Sequence, residues 1–295
     1  MGWIFSGLLP DISTRVRELK ELPPMPEVAQ ALLRLKSDSR ADAKSLGKVI
    51  ELDPALSAQI MRYATSALFG YRGKIESIQD AVSRVLGFDR AMHIAIGLAS
   101  TKALRHTRSG PLGIDQFWRH ALYTATLMQA LATKMPAQRR PALGIVYLAG
   151  MVHDIGHLLL GYLLEAEFDA VNETLARDPQ RSVLDIETEV IGVTHCDLGA
   201  WLLRKWRMPP EILAAVVQHH NPDFQGEGAA MAQLVLLADR LLTSAGMSDA
   251  EATDIPDKTL SLLGLELSLA ASVRDQILAE DSGVESLVQQ VVQAA

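Results

Sequence analysis

The segment AGMVHDIGHLLLGYL, residues 149–163, constrains the fold more than any other, because it is apolar and suited to a helix but contains three ionisable side chains. These are His153, Asp154 and His157. A run this rich in leucine belongs to a protein core. A carboxylate buried there without a partner costs several kcal/mol. The fold must therefore bring hydrogen-bond partners or a cation to this segment.

Local patterns elsewhere favour helices. Leucine and alanine dominate the 48% hydrophobic content, and aromatic residues make up only 5%. Pro26 suits a first helical turn, Asp53 and Pro54 form a start signal, and Ser77 and Gly87 bracket another helix. We predict an all-α fold with helices over about 26–36, 54–65, 77–86, 115–134, 141–155, 185–206, 209–220 and 229–244, and one or two more in 257–295.

Charge and cysteine usage narrow the function. A net charge of -7 provides no basic field, so we expect no direct nucleic-acid partner. The single cysteine, Cys196, suits a reducing cytoplasm, and the N-terminus fits neither a signal peptide nor a membrane span. We therefore predict a cytoplasmic protein without a membrane partner. Cys196 is interpreted as a small buried residue whose side chain points away from that of His195, which makes the two a poor nucleophile pair.

Most of the histidines concentrate in the second half of the chain. Helical spacing places His195 on an apolar face with Leu198 and Leu202, and the same reasoning turns other polar residues inward: His120, His219 or His220, and Asp239. Which of the two adjacent histidines faces inward stays open, because they lie at a helix end. A His–Asp hydrogen-bond network would satisfy these groups, and so would a divalent Mn, Fe, Zn or Ni ion.

The pattern His120, His153-Asp154, Asp239 resembles the H…HD…D signature of the HD superfamily of metal-dependent phosphohydrolases. Seven blocks between about residues 20 and 242 resemble, in order, the HDOD (HD-related output domain) branch of bacterial signalling proteins: LPPMPEVAQALL, DPALSAQIMRYATSALFG, SIQDAVSRVLG, FWRHALYTA, AGMVHDIGHLLL, THCDLGAWLLRKWRMPPEI and QHHNP.

This resemblance implies an HD-like multi-helix bundle with an N-terminal helical lobe. It assigns His120, His153, Asp154 and Asp239 to a first metal, and makes His195, His219 and His220 the candidates for a second. The glycines and proline of HTRSGPLG, residues 106–113, indicate a lobe boundary. We accordingly predict a lead segment over 1–20, the N-terminal lobe over 21–112, the HD-like lobe over 113–245 and a helical extension over 246–295.

The chain also departs from the catalytic relatives. His157 stands where phosphodiesterases of the superfamily carry a lysine, and QHHNPDFQG stands where their GYP signature would be. We therefore favour a regulatory module that acts through signalling proteins or a nucleotide-like ligand over an enzyme. The alternatives are a metal-dependent phosphohydrolase acting on a nucleotide or cyclic nucleotide, with His157 as the candidate catalytic residue, and a purely structural polar network without metal.

Overall fold

A computed structural model describes residues 22–104, 109–243, 254–279 and 283–293. The regular secondary structure of these residues is entirely helical, which confirms the predicted all-α class. The predicted lead segment over 1–20 and residues 106–108 of the predicted boundary lie outside the described residues. The division into lobes stays a prediction.

The first third of the chain forms a layer of short helices. Their bounds are α1 Glu27–Lys36, α2 Ala43–Ile50, α3 Pro54–Thr65, α4 Ile78–Asp80 and α5 Phe88–Lys102, with a 3₁₀ turn at Ala67–Phe69 and a π-helical continuation of α4 at Ala81–Leu86. The Asp53 side chain caps α3 by accepting hydrogen bonds from the backbone of Ala55 and Leu56. Ser77 caps α4 in the same way by accepting from the backbone of Asp80.

Two helices of this layer, α2 and α5, were not predicted. Helix α2 begins with a reciprocal capping box between Asp42 and Ser45. Helix α5 is buried continuously from Ala91 to Thr101, so its sequence lacks the polar face that marks an amphipathic helix. It packs between α1 and α3 on one side and the second half of the chain on the other. Gly87, at φ 77°, ends the preceding π-helical stretch and α5 begins at the next residue.

The second part of the chain supplies the longest helices. Their bounds are α6 Ile114–Lys134, α7 Leu143–Val152, α8 Ile155–Leu163, α9 Glu165–Arg177, α10 Val183–Val190, α11 His195–Lys205, α12 Pro210–Gln218 and α13 Ala229–Thr243. Helix α6 spans 21 residues and packs against α7 and α13. Helix α7 also packs against α5, which joins the first layer to this bundle.

The helix predicted over 141–155 is interrupted at His153 and Asp154. Helix α7 ends at Val152 and α8 begins at Ile155, so Gly156 lies in the first turn of α8. A β-carbon on Gly156 would lie 1.9 Å from the backbone oxygen of His195. The glycine therefore permits close contact between α8 and α11 rather than terminating a helix.

The helix predicted over 185–206 is also two helices. Helix α10 ends at Val190, Gly192 adopts φ 76°, and α11 begins at His195. A capping box causes the new start, because the Thr194 side chain accepts from the backbone of Asp197 and the Asp197 side chain accepts from the backbone of Thr194. The break sets His195 at a helix N-terminus.

The described part of the C-terminal extension, residues 254–279 and 283–293, contains three helices, whereas one or two were predicted. They are α14 Asp257–Leu263, α15 Leu267–Leu278 and α16 Val284–Val292. Helix α16 returns to pack on α6 and α3. Its Glu285 forms a two-pronged salt bridge with Arg119 of α6, with one N–H···O distance of 2.8 Å.

The segment Leu143–Leu163 is long and apolar enough to span a membrane, yet 83% of its most apolar window is buried inside the fold. This is the pattern of a core helix in a soluble protein. The burial of this segment places the turn at His153 and Asp154 in the interior.

Candidate metal centre

The turn between α7 and α8 places Asp154 at the middle of a cluster of imidazoles. Its two carboxylate oxygens face different partners. Oδ2 lies 3.1 Å from His153 Nε2 and 3.2 Å from His120 Nε2. Oδ1 lies 3.3 Å from His219 Nε2 and 3.5 Å from His195 Nε2. The carboxylate therefore stands between two groups of nitrogen donors.

We call the group on the Oδ2 side the first donor set: His120, His153, Asp154 and Asp239. Helix α6 carries His120, and α13 carries Asp239. Asp239 Oδ1 is 3.4 Å from His120 Nε2 and 3.7 Å from His153 Nε2, and the two imidazole nitrogens are 2.9 Å apart. The structure thus brings together all four residues predicted for a first metal.

The group on the Oδ1 side is the second donor set: Asp154, His195, His219 and His220. His195 is the first residue of α11, and the two adjacent histidines follow the last residue of α12. His195 Nε2 lies 3.3 Å from His219 Nε2 and 3.2 Å from His220 Nε2. Both adjacent histidines therefore face the cluster, which answers the question that the sequence left open.

Hydrogen bonds on the far side of three rings indicate the protonation of each imidazole. His153 Nδ1 lies 2.9 Å from the Gly150 oxygen, and His219 Nδ1 lies 3.0 Å from the oxygens of Ala215 and Val216. His195 Nδ1 lies 2.9 Å from a Glu187 carboxylate oxygen. Because these partners only accept, each Nδ1 carries a proton, so in the neutral imidazole Nε2 presents its lone pair to the cluster.

Lone pairs of imidazoles and carboxylates therefore converge, and they repel one another unless a cation lies between them. Four donors bound tetrahedrally at about 2.1 Å from one ion are separated by about 3.4 Å. In the second donor set, His195 Nε2 lies 3.2 to 3.5 Å from the other two imidazole nitrogens and from Asp154 Oδ1, which lies 3.3 Å from His219 Nε2. Among the described residues, neither oxygen of Asp239 accepts a hydrogen bond, although its side chain is buried. Three residues of each donor set have ligand atoms within 4.8 Å of one another, which suits a divalent transition-metal ion: His120, His153 and Asp239 in the first set, and His195, His219 and His220 in the second.

Burial and neighbouring charge act on the two carboxylates in opposite ways. Burial alone would raise the pKa of Asp154, but the neighbouring imidazoles of His153, His120 and His219 hold it well below its ordinary value. Burial raises the pKa of Asp239 above its ordinary value, and the nearby histidines offset this only in part. Asp154 is thus the carboxylate that stays ionised at the centre of the cluster.

The family model of the HDOD domain matches residues 22–222. The chain belongs to the HDOD family. The match covers the N-terminal layer and the bundle through His220, and it ends before Asp239 contributes from α13. The HDOD match therefore includes six of the seven residues in the two donor sets.

Comparisons with individual proteins agree with this assignment. A solved protein of Marinobacter aquaeolei VT8, provisionally named a signal transduction protein, is 33% identical over 98% of this chain and 63% of its own, with a TM-score of 0.84. A solved protein of Shewanella amazonensis SB2B, provisionally named a phosphohydrolase, is 21% identical over 95% of this chain and 99% of its own, with a TM-score of 0.73. The HD-like helical fold is thereby confirmed.

A curated but uncharacterised protein of Treponema pallidum is 23% identical over 204 residues, which cover 69% of this chain and 38% of that protein. The chain therefore spans less than two thirds of the length of both the Treponema and the Marinobacter proteins.

Glu187 is a part of this HDOD site that sequence reasoning missed. It lies on α10, is fully buried, and accepts from the backbone N–H and the Nδ1–H of His195, both at 2.9 Å. Burial would raise its pKa, but His195 and His157 lower it to about 2. Glu187 follows Val183 by four residues and precedes Ile191 by four. This apolar helical stripe was the signal that the carboxylate points inward.

His157, the candidate catalytic residue, does not join either donor set. Its Nε2 lies 3.0 Å from the second Glu187 oxygen, so Glu187 links His157 to His195. The residue that stands in place of the phosphodiesterase lysine is therefore bound to a buried carboxylate behind the second donor set.

The prediction that Cys196 points away from His195 was wrong. Its Sγ lies 3.5 Å from His195 Nε2 and 4.0 Å from His219 Nδ1. The ideal spacing of 100° between consecutive helical residues separates two side chains only inside a helix. At the first turn of α11, the His195 ring is instead turned by Glu187. Burial would raise the pKa of the Cys196 thiol, but His195 and His219 lower it to about 6.

Proposed function

We propose that the chain is a bacterial signal-transduction module that binds a pair of divalent transition-metal ions and acts through protein partners or a small ligand. The observation that carries this proposal is the position of Asp154, whose two oxygens face two different sets of histidines. A carboxylate placed in this way can bridge two ions. The relationship to the Marinobacter protein, by its name, supports the signalling role.

The first donor set would hold one ion and the second donor set the other, with Asp154 shared. A bound divalent ion supplies positive charge and Lewis acidity at this point. The donors come from α6, the α7–α8 turn, α11, the end of α12, and α13. Because metal binding is favourable only when all these elements are in place, occupancy stabilises one arrangement of the bundle. Such a dependence is what a regulatory module requires.

Burial favours regulation over hydrolysis. The side chains of His153, His195 and His219 are fully buried, and that of His120 is 12% exposed. A phosphoester has little surface on which to approach the second donor set. His157, which would have to contact a substrate phosphate if it replaced the phosphodiesterase lysine, is bound to Glu187 instead.

The test begins with metal content. The protein is purified without chelators, and bound metals are counted by elemental mass spectrometry in the wild type, Asp154→Asn and the exposed control Asp185→Asn. We expect two ions per chain in the wild type and the control, and fewer than one in Asp154→Asn. Absence of metal in all three, with only a lower melting temperature in Asp154→Asn, would instead support the structural network.

The regulatory part is tested by hydrogen–deuterium exchange with and without metal. We expect metal to protect α6, α11, α12 and α13 from exchange, because their donors are joined by the ions. Equal protection in both states would contradict a metal-dependent arrangement.

The second candidate is a metal-dependent phosphohydrolase acting on a nucleotide or cyclic nucleotide. The observation that favours it is the convergence of all seven residues of the two donor sets, which are the residues that the HD resemblance assigns to catalytic metals. Metal-loaded protein is incubated with a panel of nucleotides and cyclic nucleotides. Turnover that disappears in Asp239→Asn would establish the enzyme, and no turnover across the panel is expected for the regulatory module.

A further inference from the structure

A sulfur atom lies beside the second donor set. Cys196 Sγ is 3.5 Å from His195 Nε2, and the residue is 8% exposed. One ligand atom from each of His195, Cys196, His219 and His220 lies within 4.8 Å of the others. The sulfur therefore lies beside three imidazoles. It faces Nε2 of His195 directly, and its contact with His219 is to Nδ1, at 4.0 Å, on the side of the ring away from Nε2.

The fold holds this sulfur in place from two sides. The capping box of Thr194 and Asp197 fixes the backbone at the start of α11, on either side of residues 195 and 196. Glu187 binds His195 through both its backbone N–H and its Nδ1–H. The ring is thus held so that Nε2 faces Cys196 as well as the adjacent histidines.

The chemistry of His195 Nε2 calls for a cation. In the neutral imidazole, whose Nδ1–H is donated to Glu187, this nitrogen has one lone pair, and it faces His219 Nε2, His220 Nε2 and Cys196 Sγ at 3.2 to 3.5 Å. A thiol can satisfy this nitrogen with one S–H bond, but leaves the other nitrogens facing it. An ion about 2.3 Å from sulfur and about 2.1 Å from nitrogen would separate these atoms by about 3.6 Å when the angle between the two bonds is about 110°, and the shared Asp154 oxygen would be a fifth donor. The observed sulfur–nitrogen distance is close to this value.

We propose that Cys196 Sγ is a protein ligand of the second metal, beside His195, His219 and His220, and that it makes this position select zinc over manganese. Thiolate is a soft ligand that favours zinc, whereas manganese favours carboxylate and water. The first donor set has only nitrogen and oxygen donors, so the two positions would differ in metal preference. This inference rests on the proposed two-metal centre.

Cobalt provides a direct test, because a thiolate bound to Co²⁺ gives a sulfur-to-cobalt charge-transfer band in the near ultraviolet. Cys196 is the single cysteine of the chain, so such a band can come from no other residue. Metal-free full-length protein is titrated with Co²⁺, and the bound cobalt is counted at each step. We expect two cobalt ions per wild-type chain and a band that grows with one of them.

The variants Cys196→Ser and Cys196→Ala should bind cobalt without this band. In competition with a chromophoric chelator, the zinc affinity of one site should be at least about tenfold lower in Cys196→Ser than in the wild type. A loss of this size follows even when the residue removed only orients a metal-bound histidine. Its manganese affinity should stay within threefold of the wild type.

The outcomes separate the two proposals. Two bound cobalt ions without the band in wild-type protein would overturn the role of Cys196 and leave the two-metal centre standing. Fewer than two bound ions without the band would overturn both, and a single bound ion with the band would overturn the two-metal centre and support Cys196 as a ligand. Because the wild-type spectrum is decisive by itself, the test does not depend on the variants remaining folded.

Discussion

Replacing Glu187 with glutamine removes one charge from behind the second donor set and keeps the shape of the side chain. The amide oxygen can retain both hydrogen bonds from His195, while the amide nitrogen faces His157 Nε2. A hydrogen bond to a charged acceptor contributes about 1.5–3 kcal/mol and a neutral one about 0.5–1.5 kcal/mol. Two weakened bonds therefore remove about 2 kcal/mol of the free energy that holds the His195 ring in its metal-binding orientation. Metal binding must then supply this ordering, which corresponds to about 30-fold in metal affinity.

This loss should appear in metal binding, because the Glu187 carboxylate raises the basicity of His195 and fixes which nitrogen faces the ion. Metal-free wild type and Glu187→Gln are titrated with zinc against a chromophoric chelator. We expect one of the two affinities to fall about 30-fold, within the tenfold to hundredfold range typical of such groups. The matched control is Glu189→Gln on the same helix, whose carboxylate pairs with Arg181 at the surface. Equal affinities in Glu187→Gln and this control would refute the reasoning.

Three further predictions concern stability. Gly156→Ala places a methyl group 1.9 Å from the His195 oxygen and should lower the free energy of unfolding by at least about 3 kcal/mol in urea titrations, whereas Gly47→Ala meets only ordinary contacts and should be neutral or stabilising. Arg119 lowers the pKa of Glu285 below its unfolded value, so the pair stabilises α16 at neutral pH and the effect is lost as the pH falls through the folded pKa; the protection factors of the α16 amides, which are corrected for the intrinsic exchange rate at each pH, should fall there in the wild type and stay unchanged in Glu285→Gln. Chelation should lower the melting temperature, because an ion present at 100 times its dissociation constant contributes about 2.7 kcal/mol; an unchanged melting temperature would contradict a metal that stabilises the bundle.

The sequence allowed several amphipathic helices to be predicted, although α2, which begins with a capping box, was missed. The helices expected over 26–36, 115–134 and 229–244 agree with the structure to within a residue or two. Helix α5 was not predicted because it is buried on every side between two layers, so its sequence has no polar face. The helices predicted over 141–155 and 185–206 each contain a break in the structure, at residues 153–154 and 191–194. These breaks arise from tertiary contacts and capping, which hydrophobic periodicity does not record.

The site divides in the same way. Inward-facing His120, His195 and Asp239 could be placed from helical spacing, because each belongs to one helix and points toward an apolar stripe. The inward orientation of Glu187 was available from the same kind of stripe, but its contact with His195 and the position of the Cys196 sulfur were not, since they arise where α10, α11 and the end of α12 meet. Glu187 turns the His195 ring, and that turn brings a sulfur on the next residue into the donor cluster. A helical-wheel argument treats each side chain as fixed by its own backbone. Here a buried carboxylate on a neighbouring helix decides which atoms face the centre, so the second donor set can be recognised only from the packed fold.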